Sequence, residues 1–175
     1  KLKHMNTVII SSSLSSNSKS YILCKKIASE LKNKNVNCQF LDMRKINLLP
    51  YHSINNKGLD LVSSAIKKND NIIIGMGVHN FSVSDNLKII LDNCFSEANG
   101  KFYGIVCAAG GEKSYLSTMH LTQICMNQWK MIQLPQIVYA TSNDFKNERI
   151  VSSELIKIIK QFTAQFFSIG KKLIS

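Results

Sequence analysis

Proline and arginine are nearly missing from this 175-residue chain, which has two of each: Pro50 and Pro135, Arg44 and Arg149. Glycine is sparse at 8 residues, and acidic residues number 11 against 22 basic ones. So little proline and glycine, with a hydrophobic fraction of 45%, excludes a disordered, collagenous or low-complexity chain. No apolar run approaches the roughly 18–20 residues of a membrane-spanning helix, and no charged-then-apolar leader opens the sequence. No membrane partner is therefore expected. Cys-x-x-Cys pairs are absent too. The five cysteines, at 24, 38, 94, 107 and 125, are odd in number and never closer than 13 positions, which excludes the usual spacings for a metal, an iron–sulfur cluster or a dithiol. Most sit in apolar contexts, where free cysteine behaves as a small hydrophobe. The expectation is a reduced, cytoplasmic protein with no metal site.

The formal net charge of +11 invites a nucleic-acid reading. The composition argues against it. Of the 22 cations 20 are lysine, and 17 Asn and 22 Ile accompany them, an enrichment resembling codon bias toward A and T. A nucleic-acid surface favours arginine for bidentate contacts and interleaves aromatics. The excess reads as a solvated, lysine-rich surface, and no nucleic-acid partner is expected.

What is present is an alternation. Thr7–Ile10, Val36–Leu41, Ile72–Ile74, Phe102–Ala109 and Ile137–Ala140 are short β-branched or apolar runs. Between them lie helical periods: Ile22, Leu23, Ile27 and Leu31; Leu59, Val62, Ala65 and Ile66; a helix capped by Ser84 with Leu87, Ile90 and Leu91; and Tyr115 to about Trp129. Arg149–Lys172 closes the chain as a long amphipathic helix. Five strands and five helices in strict alternation imply an α/β fold, a parallel sheet covered on both faces. The length suits one domain, residues 5–175, with Lys1–His4 ahead of Met5 reading as a cloning remnant.

In such sheets ligands bind beyond the carboxyl ends of the strands. Three of those ends are unusual. After the first strand, residues 11–20 hold seven serines and lead into a helix N-terminus, where amides, hydroxyls and the helix dipole favour a phosphate; an ordinary polar loop with a serine cap is the alternative. After the third strand comes Gly75-Met76-Gly77-Val78-His79-Asn80-Phe81, with glycines that let backbone approach a flat ligand. After the fourth comes Ala108-Ala109-Gly110-Gly111-Glu112-Lys113-Ser114. A phosphate hook and two backbone clamps suit a planar cofactor bearing a phosphate.

These residues resemble the NADPH-dependent FMN reductase family. Its first motif, Gly-Ser-Leu-Arg-x-x-Ser-x-Asn, meets Ser12 to Ser20, matching at Ser13, Leu14 and Ser18 while Ser12, Ser15 and Ser20 replace Gly, Arg and Asn. Its second, Pro-Glu-Tyr-Asn-Gly-Ser-x-Pro-Gly-x-Leu-Lys-Asn-x-x-Asp, meets Gly77 to Asp92, matching at Asn80, Ser82, Leu87, Lys88 and Asp92. The Gly110-Gly111 pair matches the family's loop near the flavin ring.

The resemblance implies a flavodoxin-like three-layer sandwich with strand order 2-1-3-4-5 and the cofactors FMN and NAD(P)H. It implies FMN contacts from Ser13, Leu14, Ser15, Ser18, Lys19 and Ser20 to the phosphate, and from Gly77, Val78, His79, Asn80, Phe81, Ala109, Gly110 and Gly111 to the ring. Lys19 is the candidate to replace the missing loop arginine. The implied reaction passes a hydride from NAD(P)H to the flavin and then two electrons to a quinone, azo compound, flavin or similar small acceptor, with no catalytic side chain. A homodimer, or a dimer of dimers, is implied through the helices at 85–95 and 115–129, with Met119, Met126 and Trp129 as interface candidates. Two other readings stay open: a flavodoxin-type electron carrier, which the basic charge disfavours, and a flavin-free binding or regulatory module.

Overall fold

The computed structural model describes residues 4–51, 53 and 57–174; Lys1–Lys3 of the leading stretch lie outside them. Strands β1 (Asn6–Ser11), β2 (Asn37–Asp42), β3 (Asn71–Gly77) and β4 (Phe102–Ala108) run parallel in the order β2-β1-β3-β4. The fifth position, beyond β4, is filled in two pieces. Strand β5 (Ile132–Gln133) pairs with Phe102 and Tyr103, and β6 (Val138–Ala140) pairs with Val106, Cys107 and Ala108. The order 2-1-3-4-5 expected from the resemblance is thus the observed one. The run expected as one strand at Ile137–Ala140 has a forerunner at 132, and Pro135, with no N–H to give the ladder, lies in the gap.

The strand sequences explain the two covered faces. Successive side chains point to opposite sides: Val8, Ile10, Ile72, Ile74, Ile105 and Cys107 enter one core, Ile9, Ile73 and Val106 the other. The first core is closed by α2 (Lys57–Lys68), α3 (Asp85–Cys94) and α4 (Thr118–Trp129), through Val62, Ile66, Leu87, Ile90, Leu91 and Leu121. The second is closed by α1 (Lys19–Lys32) and α5 (Ser153–Leu173), through Leu23, Ile27, Leu31, Leu155, Ile159, Phe162 and Phe166. Burial on both faces is why these strands read as continuous apolar runs. The cysteines are free, and all but the half-buried Cys38 are buried.

Two boundaries differ from the sequence expectation. The last helix begins at Ser153, where the Ser152 hydroxyl accepts from the Leu155 amide at 3.1 Å. Residues from 145 instead form an antiparallel hairpin of β7 (Phe145–Lys146) and β8 (Arg149–Ile150). Its turn, Asn147 (φ 46°) and Glu148 (φ 58°), has positive φ at both central positions, as a type I′ turn demands. The helix expected from Tyr115 opens as a tighter 3₁₀ turn over Glu112–Ser117 before α4 starts.

Candidate functional site

Because β1, β3, β4 and β6 are parallel, the loops leaving them share one edge of the sheet. They enclose a cleft of about 280 Å³ lined by Ser13, Ser15, Asn17, Ser18, Lys19, Ser20, Gly77, Val78, His79, Ala108, Ala109, Gly110 and Ser142. Through Gly110 it continues into a hollow of about 660 Å³ bounded by Gly111, Glu112, Lys113, Ser114, Thr141 and Asn143.

The serine loop is anchored at its base. The amide and hydroxyl of Ser12 both donate to the Gly75 carbonyl, at 3.1 and 2.7 Å, and the Ser12 carbonyl accepts from Asn86 Nδ2 at 2.8 Å. Ser18 caps α1, its hydroxyl accepting from the Tyr21 amide at 3.0 Å and lying 3.1 Å from Ser20 Oγ. The positive end of the 14-residue helix α1 therefore faces the cleft. Lys19 Nζ donates to Ser142 Oγ at 2.9 Å and stands 5.8 Å from the centre of the Phe145 ring. It links the first loop to the segment after β6.

The loop after β3 is a tight turn. His79 and Ser82 exchange backbone hydrogen bonds of 3.0 and 2.8 Å, and Asn80 (φ 46°) and Phe81 (φ 59°) occupy the two positive-φ positions between them. Gly75 is there for packing: an added Cβ would lie 2.2 Å from Cys24 Sγ. Gly110 and Gly111 are the opposite case, since a Cβ on either meets nothing within 4 Å. Tyr139 of β6 fixes this loop from below, donating to the Gly111 carbonyl at 2.6 Å and meeting Tyr115 edge-on at 5.1 Å.

Most of the residues singled out by sequence are brought together here: Ser13, Ser15, Ser18, Lys19, Ser20, Gly77, Val78, His79, Ala109 and Gly110 line the cleft, and Gly111 the adjoining hollow. Leu14, Asn80 and Phe81 line neither; Leu14 and Phe81 are 57% and 64% exposed. Three of the residues expected at the ring cannot offer it their amides. The Val78 amide is committed to Ala108 O, that of His79 to Ser82 O, and that of Ala109 to Ala140 O. Of Asn80, Phe81, Gly110 and Gly111, whose amides make no such backbone bond, Gly110 and Gly111 border the cleft or the hollow. Sequence reasoning placed Asn17 and Ala108 in the segments it singled out without naming them as contacts, and it missed Ser142, Thr141 and Asn143. The last three follow β6, so the rule that pointed to the other strand ends applies to them equally. Trp129, an interface candidate from sequence, is buried among the first core residues, whereas Met119 and Met126 are about half exposed.

A phosphate ester of a flat ring fits this donor set. Hydroxyls, a helix N-terminus and one ammonium converge at one end; at the other, a glycine pair without side chains leaves open space. Among the described residues, no group of His, Cys, Asp or Glu could hold a metal ion, and no helix is long and apolar enough to cross a membrane.

Comparison with known proteins agrees with this chemistry. The sequence family described as NADPH-dependent FMN reductase matches residues 5–146. No curated protein matches in sequence. Among solved structures, the apo form of an NADH:FMN oxidoreductase (EMOB) is similar with a TM-score of 0.75 at 18% identity, covering 91% of this chain and 89% of its own. The flavoenzyme NAD(P)H:(acceptor) oxidoreductase FerB of Paracoccus denitrificans gives 0.76 at 13% identity, covering 96% and 98%. An azoreductase of Bacillus anthracis gives 0.61 at 13%, covering 96% and 99%. At these identities the structural likeness establishes the flavodoxin-like fold.

Proposed function

The chain belongs to the NADPH-dependent FMN reductase family, an oxidoreductase family whose cofactors are FMN and NAD(P)H, and on that premise we propose that it is an NAD(P)H-dependent reductase of a small planar acceptor such as a quinone, an azo compound or free flavin. The observation that carries the reading is the convergence of the serine loop, Lys19 and the Gly110–Gly111 loop on one cleft.

What FMN supplies when bound is reversible two-electron chemistry at its ring. The chain's own residues bind and orient. Ser13, Ser15 and Ser20, with the N-terminal amides of α1 and the Lys19 ammonium, hold the phosphate; Ser18 has its hydroxyl committed to the helix cap and contributes chiefly by fixing the loop. The amides of Gly110 and Gly111 are offered to the ring edge, and His79, which lines the cleft, stands where a nicotinamide or acceptor would be met. No side chain has to act as a nucleophile or general base, so the protein's part is positioning. A cleft open on one side serves donor and acceptor in turn, which gives ping-pong kinetics. We further propose a homodimer through α3 and α4, on the face that exposes Met119 and Met126.

The test is an FMN titration followed by visible absorbance and fluorescence, coupled to NADH and NADPH oxidation with a quinone present. Stoichiometric FMN binding and parallel initial-rate lines for the two substrates are expected. A protein that takes up no FMN would overturn the reading; one that binds FMN tightly without oxidising either nucleotide would be an electron carrier.

A further inference from the structure

Arg44 is one of two arginines in a chain that elsewhere uses lysine for its cations, and it is held by contacts lysine cannot reproduce. It lies just past β2, in a short 3₁₀ turn (Met43–Lys45). Its guanidinium makes a two-pronged pair with Asp42, Nε to Oδ1 at 2.8 Å and Nη2 to Oδ2 at 2.7 Å, and stacks 3.8 Å from the centre of the Tyr21 ring. The third prong, Nη1, donates to the carbonyl of Ser16 at 3.4 Å. Asp42 in turn accepts from the Arg44 amide at 3.2 Å, which closes the unit on itself. Only a planar fork satisfies the carboxylate, the ring face and the loop carbonyl together.

The position of this unit matters. Ser11 and Asp42 are register partners at the ends of β1 and β2, so whatever follows Asp42 stands beside the serine loop. That loop has Ser15 where the family pattern places an arginine, and Ser16 is its next residue. Tyr21, the other anchor, lies in the first turn of α1, the helix whose N-terminus the loop feeds.

We propose that Arg44 is the positioning residue of the phosphate-binding loop, a guanidinium supplied from the neighbouring strand that fixes the loop's outer side where the loop itself carries no arginine. It grips Ser16 O and the Tyr21 ring at once, tying the loop to the first turn of α1 and holding the cleft-side amides and hydroxyls converged before a ligand arrives. Its charge is matched by Asp42, so its contribution is geometric. This deepens the proposed function and rests on it as far as the ligand is FMN.

The experiment compares wild type, Arg44→Lys and Arg44→Gln in two measurements. FMN and riboflavin dissociation constants are read by flavin fluorescence quenching, and amide hydrogen exchange of residues 13–18 is followed in the ligand-free protein. Both variants are expected to weaken FMN about tenfold and riboflavin less than twofold, and to speed exchange in the loop while the β3 and β4 amides stay protected. Lysine keeps the charge and loses the fork, so failure of Arg44→Lys to rescue marks a geometric role. Full rescue by lysine, equal loss for both flavins, or unchanged loop exchange would overturn the proposal. If wild type binds neither flavin, the proposed function falls, and the exchange data alone decide whether Arg44 holds the loop.

Discussion

Phe81 sits in a backbone conformation that favours glycine, with φ of 59° at the second central position of a type I′ turn. An L-residue there costs on the order of 1–2 kcal/mol. Packing repays only part of this, because the side chain is 64% exposed: burying about a third of a phenylalanine recovers about 0.7 kcal/mol. The informative perturbation is therefore a pair, Phe81→Ala and Phe81→Gly. Alanine keeps the strained φ and loses the packing, so it should destabilise by about 0.7 kcal/mol. Glycine loses the same packing, gains roughly 1.5 kcal/mol of relieved strain, and gives back about 0.5 kcal/mol through a more flexible unfolded chain. It should exceed alanine by about 1 kcal/mol and match wild type within a few tenths. Urea unfolding of the three ligand-free proteins reads this directly, and a thermal scan should separate glycine from alanine by about 2–4 °C. In ordinary extended or helical backbone the order reverses, with glycine about 0.5–1 kcal/mol below alanine. An alanine variant as stable as the glycine one would refute the strained-turn reasoning. If the order holds, the fold has no need of phenylalanine here, and a fall in acceptor kcat/KM for both variants would assign the ring to the ligand.

Gly104 and Gly111 should respond oppositely to alanine. At Gly104 the new Cβ would lie 2.6 Å from Phe162 Cζ, beneath stacked rings, so calorimetry should show a loss of about 1–3 kcal/mol; at Gly111 it meets nothing within 4 Å and φ is −166°, so stability should stay within about 0.5 kcal/mol while FMN affinity falls. Lys101→Met should cost about 2 kcal/mol in urea unfolding, because the ammonium donates to the carbonyls of Ile66, Lys67 and Asn69 at 2.6, 3.1 and 2.7 Å, where α2 ends. Asp42 is held below the usual carboxylate range, chiefly by its side-chain hydrogen bond from Arg44. A depressed folded value contributes stability that is full above the ordinary carboxylate pKa of about 4 and is lost as pH falls through the folded value. The stability gap between wild type and Asp42→Asn should thus be flat from about pH 5 to 7 and close in acid; a gap unchanged at about pH 2 would refute the assignment.

These expectations differ in how far the sequence could have supplied them. The two-sided sheet was legible because its signals are local: Val8, Ile9 and Ile10 alternate between two cores, and Ser18 and Ser84 announce two helices by capping them, whereas the Ser152 cap was passed over in favour of a start at Arg149. The split of the fifth strand was signalled only by Pro135, and the hairpin at 145–150 by nothing stronger than Asn147-Glu148, which lacks the glycine that usually marks such a turn. The turn at Asn80-Phe81 was hidden in the same way.

The contacts that brace the phosphate end of the cleft were harder still, because they join residues far apart in the sequence. Lys19 meets Ser142 across 123 positions and Arg44 meets Ser16 across 28. The second pair was nevertheless within reach of topology. Once β2 is placed beside β1, the residues leaving β2 must stand against the loop leaving β1, and among Met43, Arg44 and Lys45 only arginine can bind a carboxylate with two prongs while lying on an aromatic face. A missing arginine at position 15 is therefore a statement about the loop and its neighbouring strand together. On the proposal above, the strand order supplies from the side a brace for that loop, not a second cation for the ligand.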